Sequence, residues 1–215
     1  MEITWLGHSS FRLKGKESSV IIDPCSPVFG YNTGKLQADI VTVSHDHPGH
    51  NYVEAVEVGS KVLNRPGEYE VRDILAISWN TWHDDQQGKE RGRNLVFHFE
   101  IEGVRLLHLG DLGHVPSWEA MPEAGSTDVL FLPAGGLSTI PVNVAAQIMR
   151  HISPKIVIPM HYRTPAMKKS QLETLDKFLK ETGSGEREPQ PRLMINRSSM
   201  PLTGTQIVVL SYPQK

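Results

Sequence analysis

Short apolar runs, many of them alternating with polar residues, occur along almost the whole chain. A period of two residues, rich in β-branched and aromatic side chains and bounded by glycine, proline or asparagine, is typical of β-strands. The pattern predicts strands at residues 3–6, 11–13, 19–22, 40–43, 61–64, 67–71, 74–79, 94–101, 104–109, 127–132, 155–160, 192–196 and 206–210.

Helical spacing of apolar residues is found in the second half of the chain, at residues 142–152 and 170–180, and residues 52–58 are predicted as a shorter helix. Strands dominate first and then alternate with helices, which predicts an α/β fold. Residues 26–37 and 84–93 are predicted loops. No linker separates two cores, so we expect residues 1–215 to form one domain.

Composition excludes several classes of protein. The 215 residues include 39% hydrophobic and 21% charged residues, and the formal net charge of −2 comes without a basic run, so we expect no nucleic-acid partner. The single Cys25 excludes an intrachain disulfide and a cysteine-rich zinc site. The N-terminus alternates like a strand rather than a signal peptide, and no apolar run is long enough for a membrane span. We expect a cytoplasmic protein with no membrane partner, and the oligomeric state stays open.

A cluster of histidines directly follows the strand predicted at residues 40–43. The loop at residues 44–51 carries His45, His47 and His50 within six positions, and Pro48 and Gly49 favour a tight turn over a helix or a continuing strand. Neutral imidazole is the commonest protein ligand for zinc and also suits iron. The sequence therefore predicts a metal site at this strand end.

Further candidate ligands fall at other strand ends, namely His83, Asp111 and His161. Open α/β sheets place their chemistry in crevices at such ends, so we expect these side chains to converge with the histidine loop. The alternatives are that His83 is an exposed loop residue and that Asp111 forms a turn.

Five ordered segments resemble the metallo-β-lactamase superfamily, and within it small bacterial hydrolases similar to ascorbate-phosphate lactonase. The segments are Trp5-Leu6-Gly7-His8-Ser9-Ser10, Ile22-Asp23-Pro24, Ser44-His45-Asp46-His47-Pro48-Gly49-His50, Leu109-Gly110-Asp111 and Ile158-Pro159-Met160-His161-Tyr162. The resemblance implies a four-layer αβ/βα sandwich, with two mixed β-sheets packed face to face and helices on the outer faces.

The same resemblance implies a ligand set. A first metal is held by His45, His47 and His83, a second by His50 and His161, and Asp111 bridges the two. Asp111 and His161 are also the candidate catalytic residues. The implied cofactor is Zn²⁺, as one or two ions, with Mn²⁺ and Fe²⁺ as alternatives.

One position departs from the family pattern His-x-His-x-Asp-His, because Gly49 stands where the aspartate is expected. Its loss removes a ligand of the second metal, so that ion should bind more weakly. Asp46 and His8 are candidates for compensation, although His8 could equally be a hydrogen-bonded turn residue. Two further candidates are Asp23, which we expect to accept an imidazole N–H or to cap a turn, and His114, for which a place facing substrate and a place outside the site are the alternatives.

The resulting functional hypothesis is a metal-dependent hydrolase that uses a metal-bound hydroxide on a small-molecule ester, lactone or phosphoester. One alternative is a metal-binding or ligand-sensing protein that has lost hydrolysis through Gly49. A nuclease is a further alternative, which the slightly acidic balance disfavours.

Overall fold

The computed structural model describes residues 1–213 and contains two mixed β-sheets. The strands of the first sheet, in chain order, are β1 (Glu2–Gly7), β2 (Ser10–Lys14), β3 (Ser19–Ile22), β4 (Ile40–Thr42), β5 (Lys61–Leu63) and β12 (Leu193–Met194). Their spatial order is β12-β1-β2-β3-β4-β5. The β1–β2 and β2–β3 pairs are antiparallel, whereas β3, β4 and β5 are parallel.

The strands of the second sheet come after β5 in the sequence, and only β12 of the first sheet lies among them. Its strands are β6 (Gly67–Val71), β7 (Ile74–Trp82), β8 (Arg93–Ile101), β9 (Val104–His108), β10 (Val129–Pro133), β11 (Ile156–Met160) and β13 (Gln206–Ile207). Their spatial order is β13-β11-β10-β9-β8-β7-β6. The neighbouring pairs β6–β7, β7–β8 and β8–β9 are antiparallel. Strands β9, β10, β11 and β13 run parallel to one another.

The two-residue alternation of the first sheet decides which side chains lie between the sheets. On β3, Val20 and Ile22 belong to the large core that the two sheets share, whereas Ile21 packs on the opposite face with Leu6 and Val41. This alternation gives the first sheet two buried faces, as a layered sandwich requires.

The α-helices lie on the outer side of the second sheet. Helix α1 (Val142–Ile152) packs against β10 and against α2 (Leu175–Thr182), and its buried face includes Ala145, Ile148 and Ile152. The outer face of the first sheet packs against Leu36, Val53 and Val56, which flank β4 in the chain and lie beside a single 3₁₀ turn at Val53–Ala55. The predicted sandwich of two mixed sheets is confirmed. In residues 1–213 no helix is long and apolar enough to cross a bilayer.

The structure differs from the sequence prediction mainly in two helices. The helix predicted at residues 170–180 begins only at Leu175, because the backbone before it pairs with the site loops: Arg163 donates to the Glu173 carbonyl at 2.9 Å, and Glu173 donates to the Gly135 carbonyl at 2.8 Å. The helix predicted at residues 52–58 is only the 3₁₀ turn, since Val56 already has extended backbone.

Candidate metal centre

The candidate ligands come from the ends of strands in both sheets. His45 follows β4 of the first sheet, whereas Asp111 and His161 follow β9 and β11 of the second, and His83 comes directly after β7. His161 has a φ of 52°, a left-handed conformation that turns the chain sharply where β11 ends. These strand ends converge, as the sequence predicts.

Asp111 lies at the centre of this group. Its Oδ2 atom is 3.1 Å from Nε2 of His161, 3.2 Å from Nε2 of His50 and 3.4 Å from Nε2 of His83. Nε2 of His45 is farther away, at 4.0 Å. One carboxylate oxygen thus faces four imidazole nitrogens, and imidazole nitrogens and carboxylate oxygens are the donors that bind zinc in proteins.

Three groups of side chains have ligand atoms within 4.8 Å of one another, and each could hold a cation: His45, His83 and Asp111; His45, His47 and His50; and His8, His50 and His161. The buried Nε2 atoms of His45 and His50 have no hydrogen-bond partner among the described residues. Buried polar atoms are almost always paired, so unpaired nitrogens aimed at a carboxylate fit a bound cation.

Asp23 orients two of these imidazoles. Its Oδ2 accepts a hydrogen bond from Nδ1 of His50 at 2.8 Å and another from the Ser44 hydroxyl at 2.6 Å. Because that hydroxyl donates to Asp23, its oxygen can accept from Nδ1 of His45, which lies 3.0 Å away. Both imidazoles therefore carry a proton on Nδ1 and present Nε2 to the site.

Asp111 is itself held by residues that the sequence reasoning missed. Its backbone N–H donates to Oδ1 of Asn94 at 2.9 Å, and the Asn94 amide donates to the Leu109 carbonyl at 2.9 Å. The Ser9 hydroxyl donates to Oδ1 of Asp111 at 3.4 Å, and Ser9 is in turn held through its carbonyl by Nε2 of buried His108 at 3.0 Å. The only sequence signal was that Ser9 belongs to the first matching segment.

Burial and mutual charge shift the pKa values of these groups in opposite directions. Burial lowers the pKa of His45 to about 3, and the neighbouring His50 acts in the same direction. Burial would also lower the pKa of His50, but the charges of the nearby Asp111 and Asp23 carboxylates and the hydrogen bond to Asp23 outweigh it and raise that pKa to about 10. Burial would raise the pKa of Asp111, yet His161 and His50 hold it well below its usual value.

The candidate centre opens into a cavity of about 850 Å³. Both predicted loops contribute to it, through Phe29 of residues 26–37 and Arg91 of residues 84–93. Residues 166–170 and Leu172 form another wall, at whose end the sequence pattern predicts the start of a helix. Exposed Leu137, which has a left-handed φ of 58°, completes the apolar part of the rim.

The remaining candidates, Asp46 and His114, lie outside the three groups of possible ligands. Asp46 lines the mouth of the cavity but is exposed, accepts a hydrogen bond from the Asn51 amide and belongs to none of the three groups. His114 does not line the cavity. Its Nε2 accepts from the Trp82 backbone at 3.1 Å and its Nδ1 contacts the Val115 carbonyl at 3.0 Å, so the structure does not bring His114 together with the other site candidates.

Comparison with known proteins places this arrangement in a family. The profile of the beta-lactamase superfamily domain matches residues 2–161. A metal-dependent hydrolase from Staphylothermus marinus is 30% identical over 214 residues, covering 84% of this chain and 91% of its own length. A metal-dependent hydrolase from Archaeoglobus fulgidus is 29% identical, covering 85% of this chain and 92% of its own.

Solved structures agree with this placement. A metallo-beta-lactamase superfamily protein from Thermotoga maritima, described as a candidate zinc-dependent hydrolase, superimposes with a TM-score of 0.77 at 32% identity, covering 98% of this chain and 99% of its own. An isothiocyanate hydrolase from Delia radicum gut bacteria superimposes with a TM-score of 0.66 at 12% identity, covering 84% and 90% of the two chains, which shows a shared fold alone.

Proposed function

The chain belongs to the metallo-β-lactamase superfamily, and from that premise we propose that it is a metal-dependent hydrolase of small molecules, acting on an ester, lactone or phosphoester. The observation that carries the proposal is the contact of Asp111 Oδ2 with Nε2 of His50, His83 and His161, all within 3.4 Å.

Each candidate ligand has a definite task in this proposal. His45, His47 and His83 would hold a first cation, His50 and His161 would contribute to a second, and Asp111 would contribute to both. A bound cation lowers the pKa of a coordinated water and polarises the oxygen of an electrophile, which is the chemistry that hydrolysis needs. Asp23 keeps the Nδ1 proton on His50, so that Nε2 stays directed at the site.

The cavity supports a small-molecule substrate with an anionic group. A volume of about 850 Å³ lies within the usual range for small-ligand sites, roughly 300–1,000 Å³. Phe29, Leu137 and Met167 offer apolar contact, while Arg91 and Lys168 bring positive charge to the rim. A rim of this mixed kind suits a compact amphiphilic anion better than a nucleic-acid strand, which needs a long basic groove.

Zinc is the cation we propose. Imidazole-rich sites favour zinc or iron, whereas sites rich in carboxylates favour manganese or magnesium. The three candidate groups together contain six histidines and a single carboxylate, that of Asp111. The description of the Thermotoga maritima protein as a candidate zinc-dependent hydrolase supports the same choice.

The test is metal-dependent turnover. Protein stripped with a chelator and reloaded with Zn²⁺, Mn²⁺ or Fe²⁺ is assayed on a panel of lactones, carboxylic esters and phosphodiesters with and without an anionic group. We expect turnover to return with zinc and to fall by about 100-fold or more in Asp111→Asn, since several kcal/mol of charge stabilisation are lost. Asp176→Asn, on the exposed side of α2, is the matched control.

Two outcomes would contradict the proposal. If the reloaded protein binds metal but hydrolyses nothing on the panel, a metal-binding or ligand-sensing role replaces hydrolysis. If the stripped protein is as active as the reloaded one, the activity does not depend on the candidate centre.

A further inference from the structure

We propose that His8 takes the place of the aspartate that Gly49 lacks, so that the second cation is held by three histidines, His8, His50 and His161, together with Asp111. The inference rests on the proposed function only in assuming that cations bind at this centre. It concerns a ligand from the β1–β2 turn, which packs against the histidine loop at residues 44–51.

Space is the first argument. A Cβ atom added to Gly49 would lie 2.9 Å from Nε2 of His8 and 3.1 Å from Nδ1 of His47, closer than side-chain carbons normally approach. The backbone of Gly49 does not have the positive φ that usually explains a glycine. Gly49 is therefore needed for room, and the imidazole of His8 fills the volume where an aspartate side chain at position 49 would begin.

The surroundings of the His8 ring are the second argument. His8 is only 3% exposed, and its Nδ1 is buried with no hydrogen-bond partner among the described residues. Its ring centroid lies 4.3 Å from that of His161 and 5.0 Å from that of His50. The ligand nitrogens of these three imidazoles lie within 4.8 Å of one another, and a buried nitrogen without a partner suits a shared cation.

The fold holds His8 in this position through its backbone. The His8 carbonyl accepts hydrogen bonds from Trp5 Nε1 at 3.0 Å and from the His161 backbone at 3.1 Å, and its φ of 54° is left-handed. A residue kept only to form this turn would need no imidazole, because the carbonyl makes the turn's contacts. Phe29 stacks on the ring at a centroid distance of 5.2 Å and so fixes its direction.

The exchange of a carboxylate for an imidazole changes the preference for the ion. The second position has one negative charge fewer than the family pattern and one more nitrogen ligand. Nitrogen ligands favour zinc over manganese, whereas carboxylates favour manganese. We therefore infer that the second position of this chain selects Zn²⁺ over Mn²⁺ more strongly than an aspartate-containing site would.

Metal counting on four proteins tests the proposal without any substrate. The proteins are wild type, His8→Asn, the double variant His8→Asn with Gly49→Asp, and the control His151→Ala, which removes an exposed histidine at the end of α1. Asparagine is chosen because it tolerates the left-handed backbone of position 8. Each protein is dialysed against Zn²⁺ or Mn²⁺, and ions per chain and dissociation constants are measured, with circular dichroism as a check on folding.

We expect two zinc ions in wild type and in His151→Ala. His8→Asn should keep the first ion and bind the second about 100-fold or more weakly, because removal of residues that merely orient ligands already costs about 10- to 100-fold. The double variant should recover the second ion, with a zinc-to-manganese preference lower than that of wild type. The absorption spectrum of the Co²⁺-loaded proteins should change between wild type and His8→Asn.

The proposal is overturned if His8→Asn binds two zinc ions with unchanged constants, or if wild type binds only one ion. Its failure can be told apart from failure of the proposed function. Two ions in wild type and one in His8→Asn support this assignment even when the substrate panel shows no turnover, whereas turnover with unchanged ion counts supports hydrolysis alone.

Discussion

Asp23 accepts a hydrogen bond from Nδ1 of His50 at 2.8 Å while the opposite ring nitrogen of His50 lies 3.2 Å from Asp111. The histidine is thus held between two buried carboxylates, one that fixes its tautomer and one that faces the candidate cations. Through the Ser44 hydroxyl, Asp23 also orients His45. One side chain outside the ligand set therefore controls two proposed ligands.

Asp23→Asn should lower zinc affinity by about 10- to 100-fold, because the amide no longer accepts from both His50 and Ser44. A competition titration against a chelator of known affinity measures the change. Asp128→Asn is the matched control, since Asp128 also accepts a backbone N–H, that of Arg105 at 2.9 Å, but lies outside the candidate centre. Equal losses in the two variants would show that Asp23 acts only through stability.

Two glycines allow proposed ligands to approach the site, and filling them should weaken metal binding without changing a ligand. A Cβ at Gly135 would lie 2.1 Å from the His161 carbonyl oxygen, and one at Gly113 would lie 2.3 Å from the carbonyl carbon of His83. We expect Gly135→Ala and Gly113→Ala to lower zinc affinity, measured by the same titration. Gly125→Ala, which meets nothing within 4 Å, should leave it unchanged. Unchanged affinity in all three would contradict the ligand roles of His161 and His83.

Cation binding should release at least one proton, because His50, with a pKa of about 10, is protonated at neutral pH until a metal displaces the proton. Lower pH favours the protonated imidazole, so zinc affinity should fall as the pH falls, by about tenfold per unit for each proton released. His45, whose pKa is about 3, contributes no proton above pH 5. Calorimetric titration in buffers of different ionisation enthalpy counts the protons, and a count of zero would contradict the placement of His50 among the ligands.

The contact between the two sheets should dominate stability. Phe131 of β10 is fully buried, and its ring centroid lies 4.5 Å from that of Phe11 on β2. Phe131→Ala should lower the free energy of unfolding by about 3–5 kcal/mol in a urea titration, as large-to-small changes in a packed core do. Leu202→Ala, at a position 93% exposed, should change it little. A loss below about 1 kcal/mol for Phe131→Ala would mean that the sheets do not rely on this contact.

Much of the fold and the convergence of the candidate ligands could be predicted from the sequence because both depend on local patterns. Two-residue alternation identifies strands such as β3. A histidine or aspartate directly after an apolar run indicates a strand end that faces a shared crevice, as at His45 and Asp111. The start of α2 could not be predicted in this way, because Glu173 is held by backbone pairing with Gly135, which leaves no periodic signal.

The contacts that complete the site depend on distance in space rather than in sequence. Asn94 is the second residue of β8 and carries no motif, yet its side chain accepts a hydrogen bond from the Asp111 backbone. His114 is three residues from Asp111, but the turn directs it to the Trp82 backbone. Conversely, His8 and Gly49 are 41 positions apart in the sequence but lie close together in space. The glycine in place of the family's aspartate can be explained only when the structure shows that the His8 ring fills the space beside it.

The most direct measurement is anomalous diffraction at the zinc edge from crystals grown with Zn²⁺. We expect two anomalous peaks beside Asp111, one with His45, His47 and His83 and the other with His8, His50 and His161, each about 2.0–2.1 Å from the nitrogen ligands. No peak at Asp111, or a zinc ion bound only elsewhere, would contradict it.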